Sequence, residues 1–345
     1  MRAKKCLVVG DPLQLEPVVT MPKSTCELLR KKAEALIEFD LYATSLQSLC
    51  DQSENIGTFI EKNDGEKLWI GSPLRAHNRC LNPMFEISNK TTYNGLMIFA
   101  KHGKKLEDRT KVAGLESGYI DAKSWSDGKT EQINQNEISI LNTLLDMILP
   151  EFNDQAEEKS KYLSIISPFR ACANEAKRQI KEFYPQWEGF IQTGTIHTMQ
   201  GKESKIVIFL LGGKSDGARR WAAAKPNLLN VAATRAKECF FMIGVAKNWQ
   251  EQEYFKNAFE ILPELTLDKN VAKNCEIFDT CVVARQLKES QNIDISRFDA
   301  SLYECKDENK LKFHGFDSTG EVLGGLSIYI GEDGGLKKEE DFSFF

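Results

Sequence analysis

The sequence predicts an α/β fold: a parallel sheet of buried strands with helices on both faces, plus a small α+β or irregular C-terminal appendage. Three observations carry that prediction. Short β-branched runs recur along the chain, among them Tyr162 to Ile166, Lys205 to Leu211 and Cys239 to Gly244. These runs are near-continuously apolar rather than alternating, as strands covered on both faces are. Helical stretches lie between them, and this β–α–β rhythm is the mark of a parallel sheet. Composition permits such a core. The 345 residues are 41% hydrophobic and include 20 Phe and 5 Trp, which excludes wholesale disorder. The 23 Gly and 10 Pro are ordinary for a globular chain. The length allows two domains, or one large one with an appendage.

In chain order, Cys6-Leu7-Val8-Val9 reads as a buried strand ending at the turn Gly10-Asp11-Pro12. A domain that opens on an interior-type strand looks cut. Ser24 to Cys50 has helical spacing, with Leu28, Leu29, Ala33, Leu36 and Ile37 on one side. Ser24 is placed to cap that helix and Glu27 to complete a capping box. The polar, Gly-containing residues 51–67 read as a linker. Leu68-Trp69-Ile70 is a short strand, and Pro83 to Tyr93 a helix with Pro in its first turn. Gly118 to Trp125 is strand-like, and Glu137 to Leu149 is an amphipathic helix stopped by Pro150. Tyr162 to Ile166 is a buried strand, Phe169 to Phe183 a helix, Thr193 to His197 a short strand and Lys205 to Leu211 another buried one. Asn227 to Lys237 is helical, and Cys239 to Gly244 is the last clear strand. After Pro263 the rhythm fades, and Leu326 to Ile330 is the one strand-like run in residues 270–345.

No stretch approaches the roughly 18 apolar residues of a membrane span, and the apolar run after the basic Met1 to Lys5 is too short for a secretory signal. Nine cysteines without a Cys-x-x-Cys pair imply free thiols in a reducing, cytoplasmic setting and no structural zinc site. The net charge of −5 is unevenly spread. Residues 265–345 hold 10 Lys+Arg against 16 Asp+Glu, whereas the rest holds 35 against 34 and is free to carry a basic groove.

Four segments at strand ends could carry chemistry. Gly10-Asp11-Pro12-Leu13-Gln14-Leu15-Glu16-Pro17 is strong turn chemistry, and Gln14 adds an amide able to orient a water or a phosphate oxygen. Pro73-Leu74-Arg75-Ala76-His77-Asn78-Arg79-Cys80 is either a solvated basic loop or a guanidinium fork for phosphate. Gly194 to Glu203 is either a structural β–α loop or a phosphate-gripping run of backbone N–H groups and hydroxyls. Within it, His197 has no neighbours at metal-ligand spacing. Asn230 to Lys237 is either a core helix with a charged end or the carrier of an arginine finger at Arg235. Two apparent phosphate loops are decoys. Gly128-Lys129-Thr130 and Gly213-Lys214-Ser215 would need their first Gly at Lys123 and Ile208. No strand ends in Asp-Glu to hold Mg²⁺, and no Gly-x-Gly-x-x-Gly follows a strand.

Taken together and in order, these segments resemble the superfamily 1 helicases, in the branch of the nonsense-mediated-decay RNA helicase and its DNA-acting relatives. Gly10 to Pro17 resembles motif III. Leu74-Arg75-Ala76-His77 is similar to the Tyr-Arg-x-His element of motif IV, with Leu74 in place of the Tyr. Ile166 to Arg170 is similar to the Thr-Pro-Tyr element, Gln200-Gly201-Lys202-Glu203 to motif V and Asn230 to Lys237 to motif VI. The resemblance covers about residues 5–245 and implies a RecA-like second lobe. It implies Gln14, Arg75 and Arg235 as the catalytic residues, the first sensing the γ-phosphate and the two Arg stabilising its charge. It implies Gly201, Lys202 and Glu203 at the nucleotide, and Ser167, Thr195 and His197 toward nucleic-acid phosphates; the family more often has Asp where His197 stands. The implied domains are 1–22, a remnant of the first RecA-like lobe; 23–67, a helical connector; 68–262, the second lobe; and 263–345, an acidic extension. ATP and Mg²⁺ would be held only with a complementary N-terminal lobe, in cis or in trans. The other implied partner is single-stranded nucleic acid, DNA ahead of RNA, and no membrane. On this reading the chain is a C-terminal helicase fragment with no ATPase of its own. The rival reading is a non-enzymatic module that binds nucleic acid or protein.

Overall fold

The computed structural model describes residues 7–11, 13–15, 19–35, 40, 42, 44–61, 65, 67–127, 132–152 and 162–267, and the strands 303–307, 310–316, 322–330 and 336–342. Leu7 to Val9 is extended but is not a strand, and Leu7 (87%) and Val9 (73%) are exposed. Apolar β-branched sequence forms a strand only where a neighbour takes its backbone hydrogen bonds. No described strand runs beside these residues, and Cys6 lies outside the described residues.

The helix expected over 24–50 is two helices, α1 (Lys23–Lys32) and α2 (Leu46–Ser53). Ser24 lies inside α1, whose N-cap is Pro22 with no side-chain hydrogen bond, so the capping box is not made. Of α1 only Cys26 is buried, and Leu28 (65%) and Leu29 (48%) face outward. The expected positions Leu36 and Ile37 lie outside the described residues. Ser45 caps α2, its Oγ accepting from the Ser48 N–H at 3.1 Å.

The linker expected over 51–67 contains a strand. β1 (Gly57–Glu61) pairs antiparallel with β2 (Lys67–Gly71), so Leu68 to Ile70 belongs to a hairpin and not to the main sheet. Side chains decide this. Phe59 lies opposite Trp69 with ring centroids 4.9 Å apart, and the Trp69 indole donates to the Asp51 carbonyl at 2.9 Å. Two short parallel strands, β3 (Ala76–His77) and β4 (Ile98–Phe99), flank α3 (Met84–Thr92), with Pro83 at its start.

The central sheet then builds up from β5 (Gly118–Asp121), β6 (Leu163–Ser167), β7 (Gln192–Thr195), β8 (Ser204–Leu210) and β9 (Ala236–Gly244). Its order is β5-β9-β8-β6-β7 and every pairing is parallel. The helices between and after these strands are α4 (Gln135–Ile148), α5 (Arg170–Phe183), α6 (Asp216–Ala222), α7 (Asn227–Arg235), α8 (Ala246–Trp249) and α9 (Glu253–Ile261). Relative to expectation, β5 stops at Asp121 and α7 stops at Arg235, because Ala236 and Lys237 already belong to β9.

Strand periodicity divides the core in two. Ile165, Ile206, Ile208, Leu210, Phe241 and Ile243 pack against α4 and α5, while their chain neighbours Ile166, Val207, Phe209, Leu211, Phe240 and Met242 pack against α3, α7 and α9. Both faces are covered, which is why the strands read as continuous apolar runs. The C-terminal region holds more strands than the one expected. β10 (Tyr303–Asp307), β11 (Lys310–Phe316), β12 (Val322–Ile330) and β13 (Leu336–Phe342) form an antiparallel meander.

Candidate functional site

The loop before α1, the end of α3 and the body of α7 are fastened by one polar network. Asp11 shapes the loop: its carboxylate accepts from the Leu13 N–H at 2.9 Å and from the Gln14 amide at 3.1 Å. The Tyr93 phenol also donates to Asp11. Fully buried Asn230 on α7 donates to the Leu13 carbonyl and to the Tyr93 oxygen, each at 3.2 Å, and accepts from the Ser88 hydroxyl at 2.7 Å. Asn227 donates to the Gln14 carbonyl. Gln14 is therefore held by α7 through backbone contacts on either side of its Cα. Burial, reinforced by the Asp11 charge, pushes the Tyr93 phenol far up, so it stays a protonated donor.

Beside this network opens a cleft of about 580 Å³, whose lining includes Gln14, His77, Arg79, Lys101, Glu203 and Lys237. Glu203 bridges two cations. Its carboxylate lies 3.2 Å from Arg79 Nε and 2.5 Å from Lys237 Nζ. The hydrogen bond from Lys237 holds the Glu203 carboxyl below its ordinary range, against the opposing pull of burial. Lys101 Nζ donates to the Arg79 carbonyl at 2.6 Å and to the Lys237 carbonyl at 3.3 Å, and burial lowers its pKa. His77 accepts from the Cys80 N–H through Nε2 at 3.1 Å. Burial first, then the Arg79 and Lys101 charges, bring His77 down to about 4, so it is neutral at pH 7. The Cys80 thiol is buried and pushed up to about 12, which leaves it no nucleophilic character.

Arg235 lies buried at the end of α7, 2% exposed. Its guanidinium donates to the Val231 carbonyl at 3.2 Å and the Lys202 carbonyl at 3.0 Å. Burial, then the Arg79 charge, lower its pKa, although a guanidinium remains charged at any pH of interest. Arg235 is thus a cation fixed by backbone carbonyls, with Arg79 and Glu203 close enough to be felt electrostatically.

The structure brings some of the sequence-derived site residues together and leaves others apart. Gln14 and Glu203 line the cleft, and Lys202 meets Arg235 through its carbonyl. Gly201 turns the loop at φ +83°, with open space where a Cβ would stand. Arg75 is exposed outside the cleft lining, its Nε donating to the Leu96 carbonyl at 2.5 Å. Ser167 and Thr195 are register partners at the carboxyl ends of β6 and β7. Ser167 is fully buried and accepts from the Phe169 N–H at 3.1 Å, whereas His197 is exposed just beyond Thr195. Sequence reasoning did not select Asp11, Arg79, Tyr93, Lys101, Asn230 or Lys237. Asp11, Arg79, Asn230 and Lys237 lay inside the segments already singled out. Tyr93 and Lys101 carried no local signal.

Three cations lining one cleft, Arg79, Lys101 and Lys237, fit an extended polyanion such as a triphosphate. A divalent metal is a different matter: among the described residues no group of three or more His, Cys, Asp or Glu side chains could hold one. Among the described residues, no helix is long and apolar enough to cross a membrane.

A five-stranded parallel sheet covered by helices on both faces is the architecture of a RecA-like lobe, and the family and helicase relatives that the chain matches support the C-terminal region of a superfamily 1 helicase. Residues 66–247, just over half of the chain, match the family described as AAA domain, and the chain belongs to that family. It is 24% identical over 253 residues to "Helicase sen1" of Schizosaccharomyces pombe, which covers 70% of this chain and 13% of that protein. It is 24% identical over 262 residues to "Helicase SEN1" of Saccharomyces cerevisiae (74% and 11%), and over 165 residues to "Probable helicase MAGATAMA 3" of Arabidopsis thaliana (48% and 20%). The chain thus spans between 11% and 20% of the length of these relatives.

Proposed function

We propose that this chain is the C-terminal part of an ATP-dependent nucleic-acid helicase or translocase. In this reading its cations face a nucleotide carried by a complementary N-terminal lobe, in cis or in trans. The observation that carries the reading is the convergence of Arg79, Lys101 and Lys237 on one cleft that also holds Gln14, with Arg235 buried behind it within electrostatic reach of Arg79 and Glu203. ATP with Mg²⁺ would supply the phosphoryl group and its leaving group, the metal being held by the other lobe. Arg235, fixed by the Val231 and Lys202 carbonyls, is the arginine finger. Its charge needs no reorganisation when the transferring group becomes more anionic. Gln14, anchored by Asp11, senses the γ-phosphate. Arg75 is the second finger, and it leaves the Leu96 carbonyl to reach it. Gly201, Lys202 and Glu203 meet the nucleotide near the ribose or phosphates.

Opening and closing of such a cleft becomes translocation when both lobes grip the strand. On this lobe the grip is assigned to Ser167, Thr195 and His197 at the ends of β6 and β7. Ser167 acts there through the loop it orders, since its hydroxyl is buried. The strand is single-stranded nucleic acid, with DNA placed ahead of RNA, and the compartment is the cytoplasm. The domain division 1–22, 23–67, 68–262 and 263–345 belongs to the same proposal. Hydrolysis needs both sides of the cleft, so the isolated chain is expected to show no ATPase above background. Turnover near that of an intact family member would refute the reading. Filter binding of single-stranded DNA and RNA, with and without an added ATP-binding lobe, separates it from a binding module. Binding that strengthens with the lobe supports the split helicase, and binding indifferent to it supports the module.

A further inference from the structure

Two tryptophans flank the loop that leaves the carboxyl end of β8, and they fare differently. Trp249 is 1% exposed, and its indole N–H donates to the Gly212 carbonyl at 3.2 Å. It belongs to the core. Trp221, near the end of α6, is 55% exposed. Its one ring contact among the described residues is Phe169, with centroids 5.9 Å apart and planes at 41°. Phe169 follows the carboxyl end of β6, the neighbour of β8 in the sheet.

Both rings are held in place. The Phe169 N–H donates to Ser167 Oγ at 3.1 Å, and the ring packs between the two cores. It also lies against bare backbone. A Cβ on Gly212 would stand 3.2 Å from the Phe169 ring and one on Gly213 3.1 Å from it, and both glycines have positive φ, +57° and +76°. On the other side, Ser215 caps α6, its Oγ accepting from the Ala218 N–H at 3.2 Å. The Arg219 guanidinium donates to the Gly213 and Lys214 carbonyls at 2.9 and 2.6 Å, which fastens α6 to the loop. A large apolar ring is thus kept in water by a helix that is itself tied down, at the cost of the stabilisation its burial would bring. The surroundings are basic. Arg170, Lys214, Arg219 and Arg220 stand against Asp127 and Asp216, and Arg170 is exposed. The Arg220–Asp216 pair is more than half exposed on both sides, so a phosphate competes for it readily.

We propose that Trp221, backed by Phe169, is a stacking platform for a base of single-stranded nucleic acid, with Arg170 and Arg220 meeting the adjoining phosphates. An exposed aromatic ring among cations at the carboxyl ends of the strands matches a strand that offers bases and phosphates in turn. The proposal rests on the reading of the chain as a nucleic-acid-binding lobe, and it adds a base contact where that reading has only phosphate contacts. The buried Ser167 hydroxyl then acts by holding the backbone of Phe169, the ring that Trp221 meets. Stacking of this kind tolerates any base, because every base has a π-face.

The test compares two fluorescent oligonucleotides of about 15 nucleotides, an oligothymidylate and an abasic strand with the same phosphates, titrated with the full chain and read by anisotropy. Each variant is checked first for an unchanged unfolding midpoint. Trp221→Ala is expected to weaken oligothymidylate binding about tenfold, the worth of one stacked base, and to leave the abasic strand unchanged. Trp221→Phe should restore most of the loss. Arg220→Gln should weaken both strands alike. Phe183→Ala, which removes an exposed ring from the far end of α5, should match wild type. Indifference of both strands to Trp221→Ala, as a protein-docking face would give, overturns the proposal. So does equal weakening of both strands by Trp221→Ala, or an absence of saturable binding by wild type. The helicase reading is decided separately, by hydrolysis with a complementary lobe.

Discussion

The two helix-covered faces of the sheet bury similar apolar stripes and spend their polar residues differently. On the α4–α5 face, buried polar groups bond mainly to one another and to nearby backbone, although Asn142 Oδ1 finds no partner among the described residues. Glu137 accepts from the Gly212 N–H at 2.9 Å and from Asn134, while Gln179 links Glu175 to Asn142. On the α3–α7 face, buried Asn230 and Arg235 are tied to cleft-lining Tyr93 and to Leu13 and Lys202, the chain neighbours of cleft-lining Gln14 and Glu203. The first pattern closes the fold. The second transmits the position of the sheet to a charged opening. A polar group buried at some cost, and bonded toward a cavity, is where a fold reveals its use.

The largest expected effect breaks the first face alone. Leu144, fully buried on α4, should lose about 2–5 kcal/mol of stability on Leu144→Ala. Urea unfolding checks this, and tripolyphosphate affinity below the transition should be unchanged. Asn230→Ala is expected to cost about 1–3 kcal/mol by stranding buried partners. It should also release Leu13 and Gln14, read as faster amide exchange at those residues. If Leu144→Ala weakens anion binding as much as Asn230→Ala does, the two faces are not separate in function.

The smallest effect is in pH dependence, where the faces oppose each other. Folded His77 titrates near 4 against an ordinary 6.5, so only the unfolded chain takes up its proton between these values, and stability falls as pH drops through that window. Burial raises Glu137 from its ordinary 4.5 to about 7, so its contribution is full below 4.5 and is lost as pH rises through 7. The two slopes nearly overlap and offset one another. His77→Gln should therefore leave a protein that gains stability from pH 7 to pH 5, and Glu137→Gln one that loses it, measured as urea midpoints.

The parallel sheet was legible because double burial writes itself into a strand as an unbroken apolar run, as in Ile206 to Leu211. The hairpin was not, because β1 is half polar and borrows its stability from Trp69 across the register. Leu7 to Val9 misled for the opposite reason, since composition cannot report the lack of a pairing neighbour. In the C-terminal region, runs such as Leu336 to Phe342 are mostly charged, and pairing of such runs is not visible as hydrophobic period. In the cleft, Gln14 and Glu203 were found within motif-like segments. Arg79 was overlooked beside Arg75, and Lys101 and Tyr93 join the site through contacts between segments far apart in sequence, which no local pattern encodes.

The most direct measurement is nucleic-acid-stimulated ATP hydrolysis by this chain combined with a complementary ATP-binding lobe, with and without Arg235→Lys. Turnover should emerge only in the combination and should fall roughly 10³-fold or more in the variant, the worth of an arginine finger. Turnover that is indifferent to Arg235 would contradict the account.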